Sequence, residues 1–250
     1  MLLELPRPIV FAHRGARTEA PENTLAAFEL AIAQGADAIE LDARLTADGH
    51  IVVLHDANLD RTTNGKGRVA QKTLAELQAV DAGSPFSEKY RGEKIPLLEE
   101  VFDAIGKKTF INVELKNYTT PTDDLVERVC DLVVRCGLQD RIIFSSFLAL
   151  NLKKARRFLP GVPRGLLAAE HLAGAWARSF GFYFGDYIAL HPCVTDVDSH
   201  AVQRVHRLNR RIHVWTVNKR EDMVNLKNWG ADAIITDEPL VALQVLGRSV

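Results

Sequence analysis

Short apolar runs and amphipathic helical stretches alternate along this chain from one end to the other. Nine runs have the length of β-strands, at residues 8–13, 38–45, 51–55, 109–116, 141–146, 164–168, 187–191, 212–217 and 233–236. Helical stretches lie between most of them, for example at residues 23–35, 120–137, 199–209 and 220–230. Repeated strand–helix units predict a parallel sheet, either open or closed into a barrel.

Nine strands are one more than a barrel of eight strand–helix units contains. Only residues 46–50, with the turn Thr-Ala-Asp-Gly, separate the second run from the third. A parallel crossover needs a dozen or more residues, so we expect these two runs to pair as a hairpin. Eight parallel strands remain, and 250 residues is a usual length for one such barrel. We therefore predict a single α/β domain over residues 1–250, a (β/α)8 TIM barrel with a small capping insertion at 57–96.

Composition excludes several classes of protein. The net charge is -1 and no block of Lys and Arg occurs, so a nucleic-acid partner is not expected. No apolar run reaches the ~18 residues that a membrane span requires, and the first residues lack the features of a signal peptide. Cys130, Cys136 and Cys193 have no metal-site spacing and are expected to be reduced thiols. We expect a cytoplasmic protein, and its oligomeric state stays open.

Two of the predicted strands carry carboxylates on the face opposite their apolar residues. Alternation places Glu40 and Asp42 on one face of the run 38–45, and Glu114 on the corresponding face of the run 109–116. Clustered buried carboxylates are costly unless a cation neutralises them, and oxygen ligands favour Mg²⁺ or Ca²⁺. A solvated strand face, or internal ion pairs with Arg44 and Lys116, is the alternative. Because two strands share the pattern at the end where barrel enzymes hold their sites, we favour a metal site.

Two histidines follow apolar runs in the same way. His13 ends the first run and His55 the third, and the acidic cluster lies between them in sequence. Two imidazoles beside a metal suit general acid–base catalysis. Arg14 adds a permanently charged donor suited to phosphate oxygens, and Lys116 adds a second positive charge. Together these residues predict chemistry on a phosphate ester. His191 also ends a run and lines the site, caps a helix or packs in the core. His50, His200, His206 and His213 are expected on the surface or on a strand face.

Several motifs then resemble one family. AHRG, PENTLAAF, IELDARLTADGHIVVLHDANLDRTTNGKG, NVELK, WTVN and GADAIITDEP occur in the order and spacing of glycerophosphodiester phosphodiesterases of the bacterial, cytoplasmic type. The resemblance extends from His13 to Pro239. It implies a TIM barrel of the phospholipase C-like phosphodiesterase type. It also implies hydrolysis of small-molecule glycerophosphodiesters, such as glycerophosphocholine or glycerophosphoethanolamine, to glycerol 3-phosphate and an alcohol.

The resemblance also assigns roles to individual residues. It implies that His13 and His55 form the acid–base pair, and that Arg14 and Lys116 contact phosphate. Trp215 is similar to the family's aromatic residue near the substrate, although core packing explains it equally well. Glu40, Asp42 and Glu114 are implied as ligands of one Mg²⁺ or Ca²⁺, and Glu22 and Asn23 as supports of the first loop.

Alternative functions remain open from the sequence. A related lysophospholipase D or sphingomyelinase D-like enzyme acting on lipid would share this site but would need an exposed apolar rim. The aromatic-rich segment 179–187 is the one candidate for such a rim, and we expect it to pack beneath the barrel instead. A non-catalytic barrel that binds phosphodiesters is disfavoured, because binding alone does not need an acid–base pair. Nothing in the sequence favours a purely structural protein.

Overall fold

The computed structural model describes residues 4–248. Its nine strands are β1 (Ile9–His13), β2 (Ala38–Leu45), β3 (Ile51–Val53), β4 (Phe110–Leu115), β5 (Ile142–Ser146), β6 (Arg164–Ala168), β7 (Ala189–Pro192), β8 (Arg211–Val214) and β9 (Ala233–Thr236). The α-helices are α1 (Leu25–Ala33), α2 (Leu74–Gln78), α3 (Leu98–Ile105), α4 (Leu125–Arg135), α5 (Ala149–Phe158), α6 (Phe182–Phe184), α7 (Ser199–His206), α8 (Arg220–Trp229) and α9 (Pro239–Val245).

Eight parallel strands close into a barrel, which confirms the predicted (β/α)8 fold. The strand order is β1-β9-β8-β7-β6-β5-β4-β2, and β1 also pairs with β2 to close the ring. β3 lies outside this ring as the antiparallel partner of β2, with Ala43 opposite Val53. The hairpin inferred from the short gap at 46–50 is therefore present, and it ends at Val53, two residues before His55.

Side-chain alternation along the strands separates an apolar outer layer from a more polar interior. On β2 and β4, Ile39, Leu41 and Val113 belong to the large core that packs the helices on the barrel. Inside the barrel, a smaller apolar group includes Phe11 and Ile143 and fills the lower part. Because successive residues of a strand point to opposite faces, this arrangement sends the acidic residues of β2 and β4 into the barrel.

Residues 57–96 connect β3 to α3 and carry α2 and two short 3₁₀ turns. A separate apolar cluster, which includes Leu59, Val69 and Leu77, packs inside this segment. Residues 57–96 also contact the loop after β1, since the Tyr90 hydroxyl donates to the Glu19 carbonyl oxygen at 2.9 Å. The segment thus lies beside the loop that follows the first strand.

The remaining connections differ in detail from the sequence prediction. β8 ends at Val214, so residues 215–217 follow the strand and do not belong to it. The segment 179–187 packs on the barrel only in part: Phe182 is buried as expected, but Phe180 is 71% and Phe184 is 84% exposed. Within residues 4–248, every helix is too short or too polar to cross a membrane.

Candidate active site

Glu40, Asp42 and Glu114 meet inside the barrel near the carboxyl ends of β1 and β4, because Glu40 lies opposite His13, the last residue of β1. Asp42 pairs in register with Glu114 across the parallel ladder of β2 and β4. Each of the three residues offers a carboxylate oxygen, and these oxygens lie within 4.8 Å of one another. That separation fits within the coordination shell of a cation whose oxygen ligands lie at about 2.1–2.5 Å. All three residues are buried. Burial, together with the charges of Asp42 and Glu114, raises the pKa of Glu40 well above its ordinary value.

Two basic side chains border this carboxylate cluster. Lys116 Nζ lies 3.0 Å from Glu114 Oε1 and 3.5 Å from Asp42 Oδ1. Arg14 Nε lies 3.4 Å from Asp42 Oδ2. Burial acts to raise the pKa of Asp42, but the charges of Lys116 and Arg14 bring it below its ordinary value. The ion pairs considered as an alternative to a metal site are therefore present for Lys116. Two basic side chains therefore border a cluster of three carboxyl groups.

The glycine after His13-Arg14 has a steric explanation. Arg14 and Gly15 adopt positive φ values of 58° and 85°, which turn the chain sharply at the end of β1. A β-carbon on Gly15 would lie 2.7 Å from the backbone of Ala27 on α1, so only glycine permits this approach. The turn brings Asn23 to the site, where its side-chain amide donates to Asp42 Oδ2 at 2.8 Å. Asn23 therefore contacts an acidic residue of the site directly, in addition to the support of the first loop that the resemblance implies.

His13 and His55 each hold an aspartate on the same ring nitrogen. Nδ1 of His13 lies 2.6 Å from Asp237 Oδ1, and Nδ1 of His55 lies 2.7 Å from Asp56 Oδ1. A carboxylate acceptor favours the proton on Nδ1, so Nε2 is the nitrogen available for proton exchange. Burial lowers the pKa of both imidazoles, and the hydrogen bonds to aspartate oppose this shift. This is the arrangement of an oriented acid–base pair.

One pocket of about 170 Å³ contains these groups. Its polar lining includes His13, Arg14, Glu40, His55, Asn112, Glu114, Lys116 and Ser145, and its apolar lining Phe147, Leu167, Trp215 and Ile235. Every residue predicted for the site lines this pocket except Asp42. Asp42 is buried beside the lining residues, where it contacts Arg14 and Lys116. The Trp215 indole donates to the His191 carbonyl oxygen at 2.8 Å, which fixes its ring in the pocket wall.

Sequence reasoning missed several supporting residues. Asp237 follows β9, and the strand-end rule that identified His13 applies to it equally. The Tyr118 hydroxyl donates to Glu114 Oε1 at 2.6 Å. The Tyr118 ring packs edge-on against the Phe147 ring, which also contacts Trp215. No sequence signal marks these two aromatic residues, because they belong to loops whose course depends on the whole barrel.

A charged network ties the 57–96 segment to the site. Arg61 donates to both carboxylate oxygens of Glu22 and to Asp56, the partner of His55. Glu22 also accepts from Arg14 at 3.0 Å. Although burial opposes it, these guanidinium partners lower the pKa of Glu22 to about 2. Arg44, which was considered as an ion-pair partner of the acids, instead donates to the carbonyl oxygens of His55 and Lys116 and holds those segments together.

The other histidines lie apart from the pocket. His191 is fully buried and is not part of the pocket lining, which favours the core role over the site role. His213, expected on the surface or a strand face, is also fully buried inside the barrel, 4.7 Å from the His191 ring. His206 bonds Asp232 at 2.8 Å, and His50 and His200 are exposed.

Comparison with known proteins gives one consistent result. A model of the glycerophosphoryl diester phosphodiesterase family matches residues 13–241. The chain is 39% identical to a glycerophosphodiester phosphodiesterase of Caldanaerobacter subterraneus, a match that covers 97% of this chain and 99% of the relative. It is 33% identical to a glycerophosphodiester phosphodiesterase of Bacillus subtilis, over 95% of this chain and 86% of that relative.

A solved structure agrees. A phosphodiesterase of Oleispira antarctica in complex with its product sn-glycerol-3-phosphate superposes with a TM-score of 0.88 at 32% identity, covering 96% of this chain and 97% of that one. The resemblance inferred from the motifs is confirmed. The chain therefore belongs to the glycerophosphoryl diester phosphodiesterase family, and it is an enzyme of the phosphodiester hydrolase class.

Proposed function

We propose that this enzyme hydrolyses small glycerophosphodiesters, such as glycerophosphocholine or glycerophosphoethanolamine, to glycerol 3-phosphate and an alcohol, with one Mg²⁺ or Ca²⁺. The observation that carries the proposal is a single small pocket with three carboxylates, two histidine–aspartate pairs and two basic side chains. The product complex of the Oleispira antarctica phosphodiesterase supports glycerol 3-phosphate as the product. The pocket volume of about 170 Å³ suits a small headgroup-sized substrate.

Glu40, Asp42 and Glu114 are the proposed metal ligands. The donor set fits a hard divalent cation, because all three donors are carboxylate oxygens within 4.8 Å of one another. The raised pKa of Glu40 supports the same conclusion, since it reflects burial first and then repulsion from Asp42 and Glu114, and a bound cation would offset both. Such a cation supplies charge stabilisation for a phosphoryl oxygen. Asn23 and Tyr118 hold Asp42 and Glu114 in place through their hydrogen bonds.

Arg14 and Lys116 are the proposed phosphate contacts. Both line the pocket beside the carboxylate cluster, and each keeps its positive charge because its pKa is raised: burial opposes the shift, and neighbouring carboxylates more than offset it. Positive groups held in place before substrate arrives stabilise charge that develops on the phosphoryl oxygens. Trp215 is the proposed contact for the apolar part of the substrate, and its indole already bonds the backbone at His191.

His13 and His55 are the proposed acid–base pair. One imidazole removes the proton of the substrate's free glycerol hydroxyl, whose oxygen then attacks phosphorus, and the other protonates the departing alcohol. Water would open the resulting cyclic phosphate with the two roles exchanged. Direct attack by water is the competing route. An analogue without the neighbouring hydroxyl separates the two, because full activity on that analogue would eliminate internal attack.

The test of the function is release of glycerol 3-phosphate from glycerophosphocholine and glycerophosphoethanolamine. We expect release with Mg²⁺ or Ca²⁺, none after EDTA, and recovery when the cation is restored. Asp42→Asn should need a higher cation concentration, whereas Asp103→Asn, on the outer helix α3, should behave as wild type. Release that persists after EDTA would contradict the metal role, and no release with any cation would contradict the substrate class.

Two further proposals concern organisation and location. We propose that residues 57–96 form the cap of a single catalytic domain, because Arg61 links this segment to Glu22 and to the partner of His55. Removal of the Arg61 contacts by Arg61→Gln should lower kcat/KM without unfolding the barrel, and unchanged kinetics would contradict the capping role.

We also propose a cytoplasmic location, which free Cys130, Cys136 and Cys193 support.

A further inference from the structure

Large hydrophobic side chains are exposed mainly on one side of the barrel. Within residues 4–248, ten such side chains are prominently exposed, and seven of them fall between residues 150 and 184. They are Leu150, Phe158, Leu172, Trp176, Phe180, Tyr183 and Phe184. Scattered single apolar residues are normal on a protein surface, but a contiguous group marks a binding surface.

Five of these residues form what we call the aromatic stripe: Leu172, Trp176, Phe180, Tyr183 and Phe184. Leu172, Trp176, Phe180 and Phe184 recur at every fourth position, and all four are exposed, although the segment is only irregularly helical and kinks at Ser179. The Phe180 and Phe184 rings stack with centroids 6.1 Å apart. The opposite face carries Ala177 and Phe182, which are buried against the barrel. The segment is thus anchored from within and presents its aromatic face outward.

The stripe follows the outside of the barrel. At one end, the His171 amide donates to Asp196, in the loop after β7, on the edge that holds the catalytic pocket. At the other end, Arg210, which precedes β8, donates to the Phe182 carbonyl oxygen on the opposite edge. No residue of the stripe lines the catalytic pocket. Its exposure therefore has no explanation in the hydrolysis of a small substrate.

Basic helices flank the stripe on both sides. On one side, Asp186, close after Phe184, pairs with Arg156 of α5 at 3.0 Å. α5 contributes Lys153, Lys154, Arg156 and Arg157 and no acid. On the other side, Tyr183 and Arg204 of α7 line one groove, and the exposed Arg207 follows α7. Residues 141–220 hold thirteen Lys and Arg but four Asp and Glu, whereas the whole chain has a net charge of -1.

We propose that the aromatic stripe and its basic flanks form a docking surface for an anionic lipid bilayer. Trp, Tyr and Phe insert at the boundary between headgroups and acyl chains, and flanking Lys and Arg attract anionic headgroups. A second copy of the chain fits less well, because a two-fold contact through the stripe would oppose basic flanks of like charge. The docking concerns where the enzyme resides and goes beyond the proposed function, since the substrate pocket stays that of a small molecule.

The test is sedimentation of the full chain with sucrose-loaded vesicles of phosphatidylcholine alone or with about one third phosphatidylglycerol. We expect binding to the anionic vesicles at low salt, and at least a tenfold weaker partition at about 0.5 M salt or without phosphatidylglycerol. The variant Trp176→Ser/Phe180→Ser/Phe184→Ser should lose binding. So should the charge variant Lys153→Glu/Arg157→Glu/Arg204→Glu/Arg207→Glu.

A matched control carries Val134→Ser and Val224→Ser, two exposed hydrophobic residues outside this region and outside the proposed cap. It should bind anionic vesicles as wild type does. All variants should release glycerol 3-phosphate at the wild-type rate, which shows that they fold. Absence of wild-type binding to anionic vesicles would overturn the proposal. Self-association of the wild-type chain that the variant Trp176→Ser/Phe180→Ser/Phe184→Ser abolishes would assign the stripe to a second copy. That result would also overturn the proposal.

Discussion

Two pairs of histidines lie on strands or just after them in very different surroundings. His13 and His55 line the pocket, and each has an aspartate on Nδ1. The ring centroids of His191 and His213 lie 4.7 Å apart inside the barrel, with the rings tilted by 37°. Both residues are fully buried and bond no described protein group through either ring nitrogen. Burial lowers the pKa of His191 to about 3, so it stays neutral at physiological pH. The first pair can exchange protons with a substrate, and the second pair is packing.

The difference shows why position in sequence is insufficient to assign a histidine. His13 and His191 both end or nearly end a strand, and no local signal separates them. What separates them is a partner: Asp237 reaches His13 from 224 positions away in the chain. The carboxylate orients the imidazole and stabilises its protonated form, which an acid–base role requires.

The largest effect is expected when one histidine of the first pair is removed. His13→Ala and His55→Ala should each lower kcat for glycerophosphocholine by about 10²–10⁴-fold, the usual contribution of a general acid or base. The melting temperature should change little, because both side chains lie at the pocket and not in the core. His50→Ala, an exposed histidine, is the control. Near-wild-type turnover in a folded His13→Ala enzyme would remove it from the acid–base pair.

Removal of the orienting carboxylate should have an intermediate effect. Asp237→Asn should lower kcat by about 10–100-fold, the range for groups that orient a functional side chain. The hydrogen bond and charge of Asp237 raise the pKa of His13 against the effect of burial, so their loss lowers that pKa. The limb of the kcat/KM pH profile that His13 controls should therefore move to lower pH.

The neighbouring Glu238→Gln provides the control for Asp237→Asn, since it removes a carboxylate that no described hydrogen bond links to His13. Both variants should keep the wild-type melting temperature. A loss of activity in Asp237→Asn with an unshifted pH profile would mean that the aspartate acts on folding or on substrate binding and not through His13.

The barrel and most of the site were predictable because both follow from short periods in the sequence. The repeated strand–helix pattern predicted the fold. The two-residue alternation of side-chain direction along residues 38–45 and 109–116 predicted that Glu40, Asp42 and Glu114 lie together. The environments of His213 and Phe180 were not predictable. Whether an apolar or aromatic residue is covered depends on which distant segment packs over it, and at Phe180 no described segment does.

A smaller effect tests the second pair as packing. A β-carbon on Gly165 would lie 2.1 Å from His191 Nε2, so Gly165→Ala should force the buried ring to move. Overpacking of this kind costs about 1–3 kcal/mol of the free energy of unfolding. Gly161→Ala is the matched control, because its β-carbon meets no atom within 4 Å. Urea unfolding measures both, and equal stabilities would show that the His191 ring is not held tightly.

The smallest effect comes from the pH dependence of stability. The pKa of His191, about 3 in the folded protein, lies below its ordinary value of 6.5, so between these values the unfolded chain binds a proton that the folded chain does not. His191 therefore destabilises the fold as pH falls below 6.5, by about 1 kcal/mol between pH 6.5 and 5.5. In His191→Phe, the free energy of unfolding should fall less over this interval by that amount, whereas His200→Phe, at an exposed position, should follow wild type. Identical pH slopes for wild type and His191→Phe would mean that the buried ring takes up a proton without unfolding, and the contrast between the two histidine pairs would fail.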